Sequence, residues 1–328
     1  MAIIAIVLLA VSFFPLPDVS AQEKKQIRVI FTSQTWTSSL PFRAALTKGY
    51  FRAQGLTVEP IFIRGGPAAI AALVSGDADF GAIGGAQAVI RSRARGLDVV
   101  IIGSISNRVH YVIIGNSSTK TIEDMKGKTI GVTGAGTFSD FALRVYLKGK
   151  NIDPDKDLRL RAIGATPLRA TALERRIIAA APFAPEDAVY LLGKGFPLIA
   201  NLSDSLNIPQ AVIVARSEYM NKYPETTKRY LKAQLLGMQV AMNKQEAIKA
   251  GYAAGLKGEP ESVSKAYDLY SRGFTSDLSV AEDGIQIMLE DDIRNGIVDR
   301  KMTIDKVIDE RILKIAQKEL QNELKVKP

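Results

Sequence analysis

Residues 115–141 read GNSSTKTIEDMKGKTIGVTGAGTFSDF, and this stretch decides the architecture. Gly115 to Lys120 is polar and poor in apolar residues, the composition of a crossing between two lobes. Lys128 to Val132 then reads as a strand and Thr137 to Leu147 as a helix, so an α/β pattern restarts in mid-chain. Between them stands Gly131-Val-Thr-Gly-Ala-Gly136-Thr137-Phe138-Ser139. A helix start offers N–H groups without intrahelical partners and a partial positive charge. Glycines let a ligand approach the backbone. Gly136, Thr137, Phe138 and Ser139 are therefore candidate ligand residues, suited to a carboxylate or similar anion. As an ordinary cap, Thr137 or Ser139 would touch no ligand. Gly134-x-Gly136 also belongs to a dinucleotide fingerprint, but Ser139 stands where the third glycine belongs.

Upstream, Ile27 to Phe31 reads as a strand, and Pro41 opens a helix through about Phe51. Strands follow at Leu56–Ile63, Ala78–Ile83, Val99–Ile102 and Val109–Ile114, with helices between them from Ala68 to Val74 and up to Arg95. Such alternation marks an open α/β sheet. Ligands bind at the carboxyl ends of strands in such sheets. Ser33, Gln34, Thr35 and Trp36 follow the first strand and are candidates for polar recognition and apolar cover. Gly65, Gly84 and Gly85 each follow a strand and could present N–H groups, or serve only as turns. Arg108 and His110, near the end of the first lobe, could hold an anionic group; a hinge ion pair or a core position suits them equally.

Downstream, extended segments at 158–162, 177–180 and 196–200 alternate with helices at 167–173 and 185–192. Phe183 follows a strand of this second lobe and is a candidate cleft wall, with a core role as the alternative. Ala211 to Val214 reads as the strand of the return crossing, and helices dominate from Ser217 onward. The expected organisation is a signal peptide at 1–21, the first part of lobe one at 22–115 and lobe two at 116–210. Residues 211–328 form the return crossing and the helical completion of lobe one. Two lobes joined by two crossings make a clamshell.

Composition narrows the chemistry. The chain of 328 residues is 47% hydrophobic and 23% charged, within globular norms. It has no Cys, which removes disulfides, thiol nucleophiles, iron–sulfur clusters and a lipid-modified Cys anchor. A single His, His110, leaves no usual zinc ligand set, so neither metal nor cofactor is expected. No G-x-S-x-G elbow or other catalytic set stands out, and no enzymatic activity is expected. Met1 to Phe14 is almost wholly apolar, and Val19-Ser20-Ala21 suits signal peptidase, so cleavage is expected after Ala21. No Lys or Arg precedes that run, a departure from the usual pattern. Removing 1–21 loses one acid, Asp18, and no base, which takes the net charge from +9 to +10. The basic residues are scattered and lack aromatic interleaving, so nucleic acid is not an expected partner.

Several stretches together resemble the solute-binding proteins of ABC importers, in the branch of sulfonate, taurine, nitrate and thiamine-precursor binders. They are PFRAALTKGYFRAQG (41–55), Gly65-Gly66-Pro67, ALVSGDADFGAIG (72–84), TIEDMKGKTIGV (121–132), GAGTFSDF (134–141), Pro182–Pro185 and Pro224–Leu235. The resemblance implies the type II periplasmic-binding fold, two α/β lobes with two crossings and a helical C-terminal part. It also implies capture of a small anionic or polar solute in the periplasm and delivery to an ABC permease in the inner membrane. A monomer without lipid anchor is expected. Phe183-Ala184-Pro185 stands where sulfonate binders tend to carry Trp-Asp-Pro, a departure that counts against sulfonate as the cargo. The competing readings are an enzyme on the same scaffold and a sensory solute-binding module.

Overall fold

In the computed structural model, which describes residues 23–33 and 35–326, two five-stranded sheets each carry their own helices. The expected signal peptide and Gln34 lie outside the described residues. The first lobe opens with β1 (Gln26–Phe31), α1 (Leu40–Thr47), α2 (Tyr50–Ala53), β2 (Thr57–Phe62), α3 (Gly66–Val74), β3 (Phe80–Gly84), α4 (Gln87–Ala94) and β4 (Val100–Ser106). The single helix expected from Pro41 to Phe51 breaks at Gly49, whose φ of 73° turns the chain between α1 and α2.

The second lobe comprises β5 (Val112–Gly115), β6 (Thr129–Val132), α5 (Phe138–Lys148), β7 (Arg159–Ala162), α6 (Thr166–Glu174), β8 (Ala180–Phe183), α7 (Pro185–Gly193) and β9 (Leu198–Asn201). The chain then returns through β10 (Ala211–Ala215) to α8 (Ser217–Lys222), α9 (Pro224–Met242), α10 (Lys244–Ala253), α11 (Pro260–Ser271), α12 (Glu282–Arg294) and α13 (Arg311–Val326). No helix among the described residues is long and apolar enough to cross a membrane.

The two sheets share one plan. Sheet one runs β2-β1-β3-β10-β4 and sheet two β7-β6-β8-β5-β9. In each, three parallel strands meet a fourth that runs antiparallel to both its neighbours. That fourth strand directly follows a crossing in both lobes. The first crossing is therefore at 107–111, not at 115–120 as the polar run suggested. Val112–Gly115 pairs with Phe183–Ala180 and belongs to lobe two. The polar run 116–120 is instead a turn, in which the Asn116 side chain accepts from Ser118 and Thr119. The expected strand at 177–180 is displaced to 180–183, because Arg176 takes a left-handed turn (φ 57°) at the end of α6.

Apolar contact continues across the lobes. Ile83, Val89 and Val212 of lobe one share a cluster with Ile113, Val132 and Phe138 of lobe two. The helical tail does more than complete lobe one. α9 packs on α1 and α13, whereas α11 packs on α7, and its Leu269 lies against the lobe-two core of Val112 and Phe183.

Candidate functional site

The site is the closed cleft between the lobes, and its lobe-one wall begins in the loop after β1. The Ser33 and Thr35 hydroxyls bond each other at 2.7 Å, and Thr35 also bonds Ser38, which stiffens the loop. The next turn crosses the cleft. The Thr37 N–H and hydroxyl both donate to Glu186 Oε1, at 3.2 and 2.7 Å, at the start of α7 in lobe two. Trp36 is buried, and its ring lies beside Gly251 of α10. Thr35, Trp36, Arg43, Glu186 and the 251–257 turn line a cavity of about 450 Å³ at this mouth.

Deeper, Gly85 ends the β3 segment with φ 92° and donates its N–H to the Gln210 carbonyl at 2.6 Å. A Cβ built there would stand 2.8 Å from Phe138 Cβ, so lobe two closes directly onto this backbone. Phe138 in turn packs near Tyr111 and Phe141, with ring centroids 6.2 and 6.1 Å away.

The loop before α5 is arranged differently from the expected anion cradle. Thr137 Oγ1 donates to the Gly134 carbonyl at 2.7 Å, and Ser139 Oγ accepts the Thr133 N–H at 2.9 Å. The Gly136 N–H is already taken by the Asp140 carboxylate at 2.8 Å, and the Gly136 carbonyl accepts from Arg91 of lobe one. Asp140 places a negative charge where a bound anion was expected. Phe138 remains a cleft wall, while Gly136, Thr137 and Ser139 shape the loop.

The buried cation is elsewhere. Arg169 on α6 is 0% exposed. Its Nε donates to the Pro182 carbonyl at 3.1 Å, and its Nη1 to Thr133 Oγ1 and the Gly164 carbonyl at 2.6 and 2.7 Å. These acceptors come from the carboxyl ends of β6, β7 and β8. Sheet pairing between β6 and β8 is recorded only at Ile130 and Ala180, which leaves the guanidinium room between the strand ends. Among the described residues no carboxylate bridges Arg169, and its Nη2 has no partner. Burial lowers its pKa, yet a guanidinium stays protonated in proteins.

Further unpaired groups gather nearby. Tyr270 Oη, His110 Nε2 and Glu186 Oε2 are buried without partners among the described residues, as are both amide atoms of Gln87 at the start of α4, two residues beyond Gly85. The His110 ring lies 3.8 Å from that of Tyr270. Arg169 acts electrostatically on the Tyr111 phenol, and Glu186 and Tyr111 act on Tyr270. Burial pushes Glu186, Tyr111 and Tyr270 towards their uncharged forms.

The His110 tautomer follows from its neighbour. Ser106 Oγ donates to the Arg108 carbonyl at 3.1 Å, so it meets His110 Nδ1, 3.3 Å away, as an acceptor. With the Ser106 proton assigned to the carbonyl, the shorter of its two contacts, Nδ1 carries the ring proton and Nε2 is a bare acceptor. Burial lowers the His110 pKa from 6.5 to about 3, so the ring is neutral at pH 7. Below pH 6.5 the unfolded chain binds a proton that the folded chain refuses. Stability held above pH 6.5 is thus lost progressively as pH falls towards 3, by about 1.4 kcal/mol per pH unit. Glu186 and Asp187, whose pKa values are raised, act in the opposite sense above the carboxylate range. His110→Phe isolates the histidine: urea unfolding from pH 7 to 4 is expected to show a smaller acid loss than in the native chain. Equal losses in both would contradict the assignment.

Of the residues expected from sequence, the structure brings Ser33, Thr35, Trp36, Gly85, His110 and Phe138 to the cleft. Gly65 is exposed with nothing near its Cβ position, and the exposed Gly84 bonds Thr32 Oγ1. Arg108 is exposed and reaches the Ser203 carbonyl at 3.4 Å, bracing the two crossings. Phe183 is fully buried in the lobe-two core, because β8 lies in the middle of its sheet. Arg169, Glu186, Tyr111 and Tyr270 were not expected. Arg169 did leave a signal: it shares the face of Ala172 and Leu173, three and four residues on, so a charge sits on an apolar stripe.

The profile of the NMT1/THI5 like family matches residues 36–248. A Brucella abortus (strain 2308) protein, provisionally named as a binding protein, is 29% identical over 234 residues, 68% of each chain. The periplasmic aliphatic sulphonate binding protein SsuA from Escherichia coli superposes with a TM-score of 0.69 at 17% identity, over 88% of this chain and 92% of that one. The periplasmic nitrate-binding protein NrtA from Synechocystis PCC 6803 gives 0.70 at 14%, over 93% and 91%. At these identities the two structures establish the periplasmic-binding fold.

Proposed function

We propose that this chain, which belongs to the NMT1/THI5-like family, captures a small solute between its lobes and hands it to an ABC permease without altering it. One observation carries the reading: buried, unpartnered polar atoms from both lobes, the first crossing and α11 surround a cleft that Thr37 and Glu186 clasp shut. Unpaired buried polar groups are costly. A bound solute that pairs them offsets that cost, and only in the closed form. Closure is then a population shift driven by the solute's contacts with both lobes. The relatives' names as binding proteins, and the periplasmic sites in the names of SsuA and NrtA, support action in the periplasm. The apolar run Met1 to Phe14 and Val19-Ser20-Ala21 are the basis for proposing cleavage after Ala21, and a monomer is part of the same proposal.

Among the described residues no group in the cleft is paired for proton transfer to a nucleophile. Glu186 is clasped to Thr37, and His110 faces Ser106 only through a hydroxyl already committed to a carbonyl. The test is mass spectrometry of solute released from natively purified protein, followed by calorimetry with that solute. Micromolar or tighter binding, about −8 kcal/mol, with quantitative recovery of unchanged solute is expected. Conversion of the bound solute would establish an enzyme instead.

A further inference from the structure

The polar inventory of the cleft constrains what it can hold. Arg169 is a cation with a buried, unpartnered Nη2; Asp187 acts on it electrostatically, but among the described residues no carboxylate oxygen bridges it. Nothing in the loop before α5 competes for an anion, because Asp140 already occupies the Gly136 N–H. At the mouth, Arg43 donates to Ser39 and stands over Phe31, and among the described residues no salt bridge pairs it, so a second cation lines the entrance together with Glu186. The opposite demand comes from His110. Its Nδ1–H is committed to Ser106, so Nε2 can only accept. Tyr111, Phe138 and Tyr270 supply flat apolar walls.

Resting on the capture reading, we propose that the cargo is a small organic acid that also carries an O–H or N–H donor. Its acid group meets Arg169 Nη2 and its donor meets His110 Nε2. A site that hydrogen-bonds a donor rejects the analogue lacking it, because the buried acceptor is left unpaired. An anion without any donor, such as nitrate, satisfies one end of the site and leaves the other unfilled.

Matched sets of three test this in thermal-shift and calorimetric titrations of the native chain. One set is 3-hydroxybenzoate, benzoate and 3-hydroxybenzamide; the other is lactate, propionate and lactamide. At least one hydroxy acid is expected to bind tenfold or more tighter than both its partners. His110→Phe keeps the ring stack and removes Nε2, and is expected to abolish the gap between hydroxy acid and unsubstituted acid. Arg169→Gln is expected to abolish the gap between acid and amide; circular dichroism checks its fold, and if it unfolds, the native chain's acid–amide comparison decides this half alone. Equal binding within both sets, or no binding by either, overturns the inference. A parallel panel of neutral sugars, nucleobases and amino acids separates the two readings. Stabilisation by a neutral member alone overturns the acid assignment and leaves solute capture standing, whereas silence across every compound sinks both.

Discussion

Gly85→Ala is expected to weaken solute binding by about 10- to 100-fold while both lobes stay folded. The added Cβ would stand 2.8 Å from Cβ and Cδ2 of Phe138 and 2.9 Å from its Cγ. Phe138 cannot swing aside freely, since it opens α5 and packs near Tyr111 and Phe141. Overpacking of this kind costs about 1–3 kcal/mol, and each 1.4 kcal/mol is tenfold in affinity. Two effects must be kept apart. Strain at φ 92° burdens an alanine in open and closed forms alike, so it lowers stability without touching affinity. The clash exists only when the lobes meet, so it raises the closed form alone.

A double-mutant cycle separates them. Phe138→Gly removes the obstruction, Cβ included, and Gly85→Ala combined with Phe138→Gly is expected to bind no worse than Phe138→Gly alone. Small-angle scattering should show Gly85→Ala held open in the presence of solute. Native affinity in Gly85→Ala, with scattering that still reports closure, would mean that the lobes do not shut on this contact.

The two-lobe plan was legible in the chain because it rests on local signals. Strands of apolar residues, glycine punctuation and prolines at helix starts recur, and the restart after Lys128 marks the second lobe. Strand ownership was not legible. Val112-Ile-Ile-Gly115 looks the same whichever sheet it joins, and its partners lie 65 or more residues away at 180–183 and 198–201. The crossing was misplaced for that reason. The site divides along the same line. The loop after β1 and the start of α5 could be found from their position at strand ends. The Arg169 pocket needed Thr133, Gly164 and Pro182 to arrive from three separate segments. Even the α5 loop misled where a local detail decided: Asp140 is one of many acids near a helix start, and only its bond to the Gly136 N–H shows the donor to be spent.

The same substitution at two helical glycines is expected to act in opposite directions. In α9, a Cβ on Gly237 would stand 2.1 Å from the Pro41 carbonyl oxygen and 2.9 Å from Ala45 Cβ of α1. Both are fixed parts of a packed helix, so α1 and α9 must separate. α1 also carries Phe42, whose ring lies 5.6 Å from that of Phe51, and Phe51 stacks on Tyr230 of α9. The separation therefore spreads into the aromatic core of lobe one. Alanine gains about 1 kcal/mol over glycine in helix propensity, but overpacking against backbone costs more. Gly237→Ala is expected to lose about 1–2 kcal/mol net, and Gly237→Val, without the propensity gain, about 3–4 kcal/mol. Gly193 ends α7 in the open, with nothing near its Cβ position. There Gly193→Ala is expected to gain up to about 0.5–1 kcal/mol. Trp36 is the one Trp of the sequence and is buried in lobe one beside α10. Its fluorescence reports lobe one in urea, and far-UV circular dichroism reports both lobes. If Gly237→Val shifts neither midpoint, the close approach of α1 and α9 is wrong, and with it the packing that holds the Trp36 loop at the mouth of the cleft.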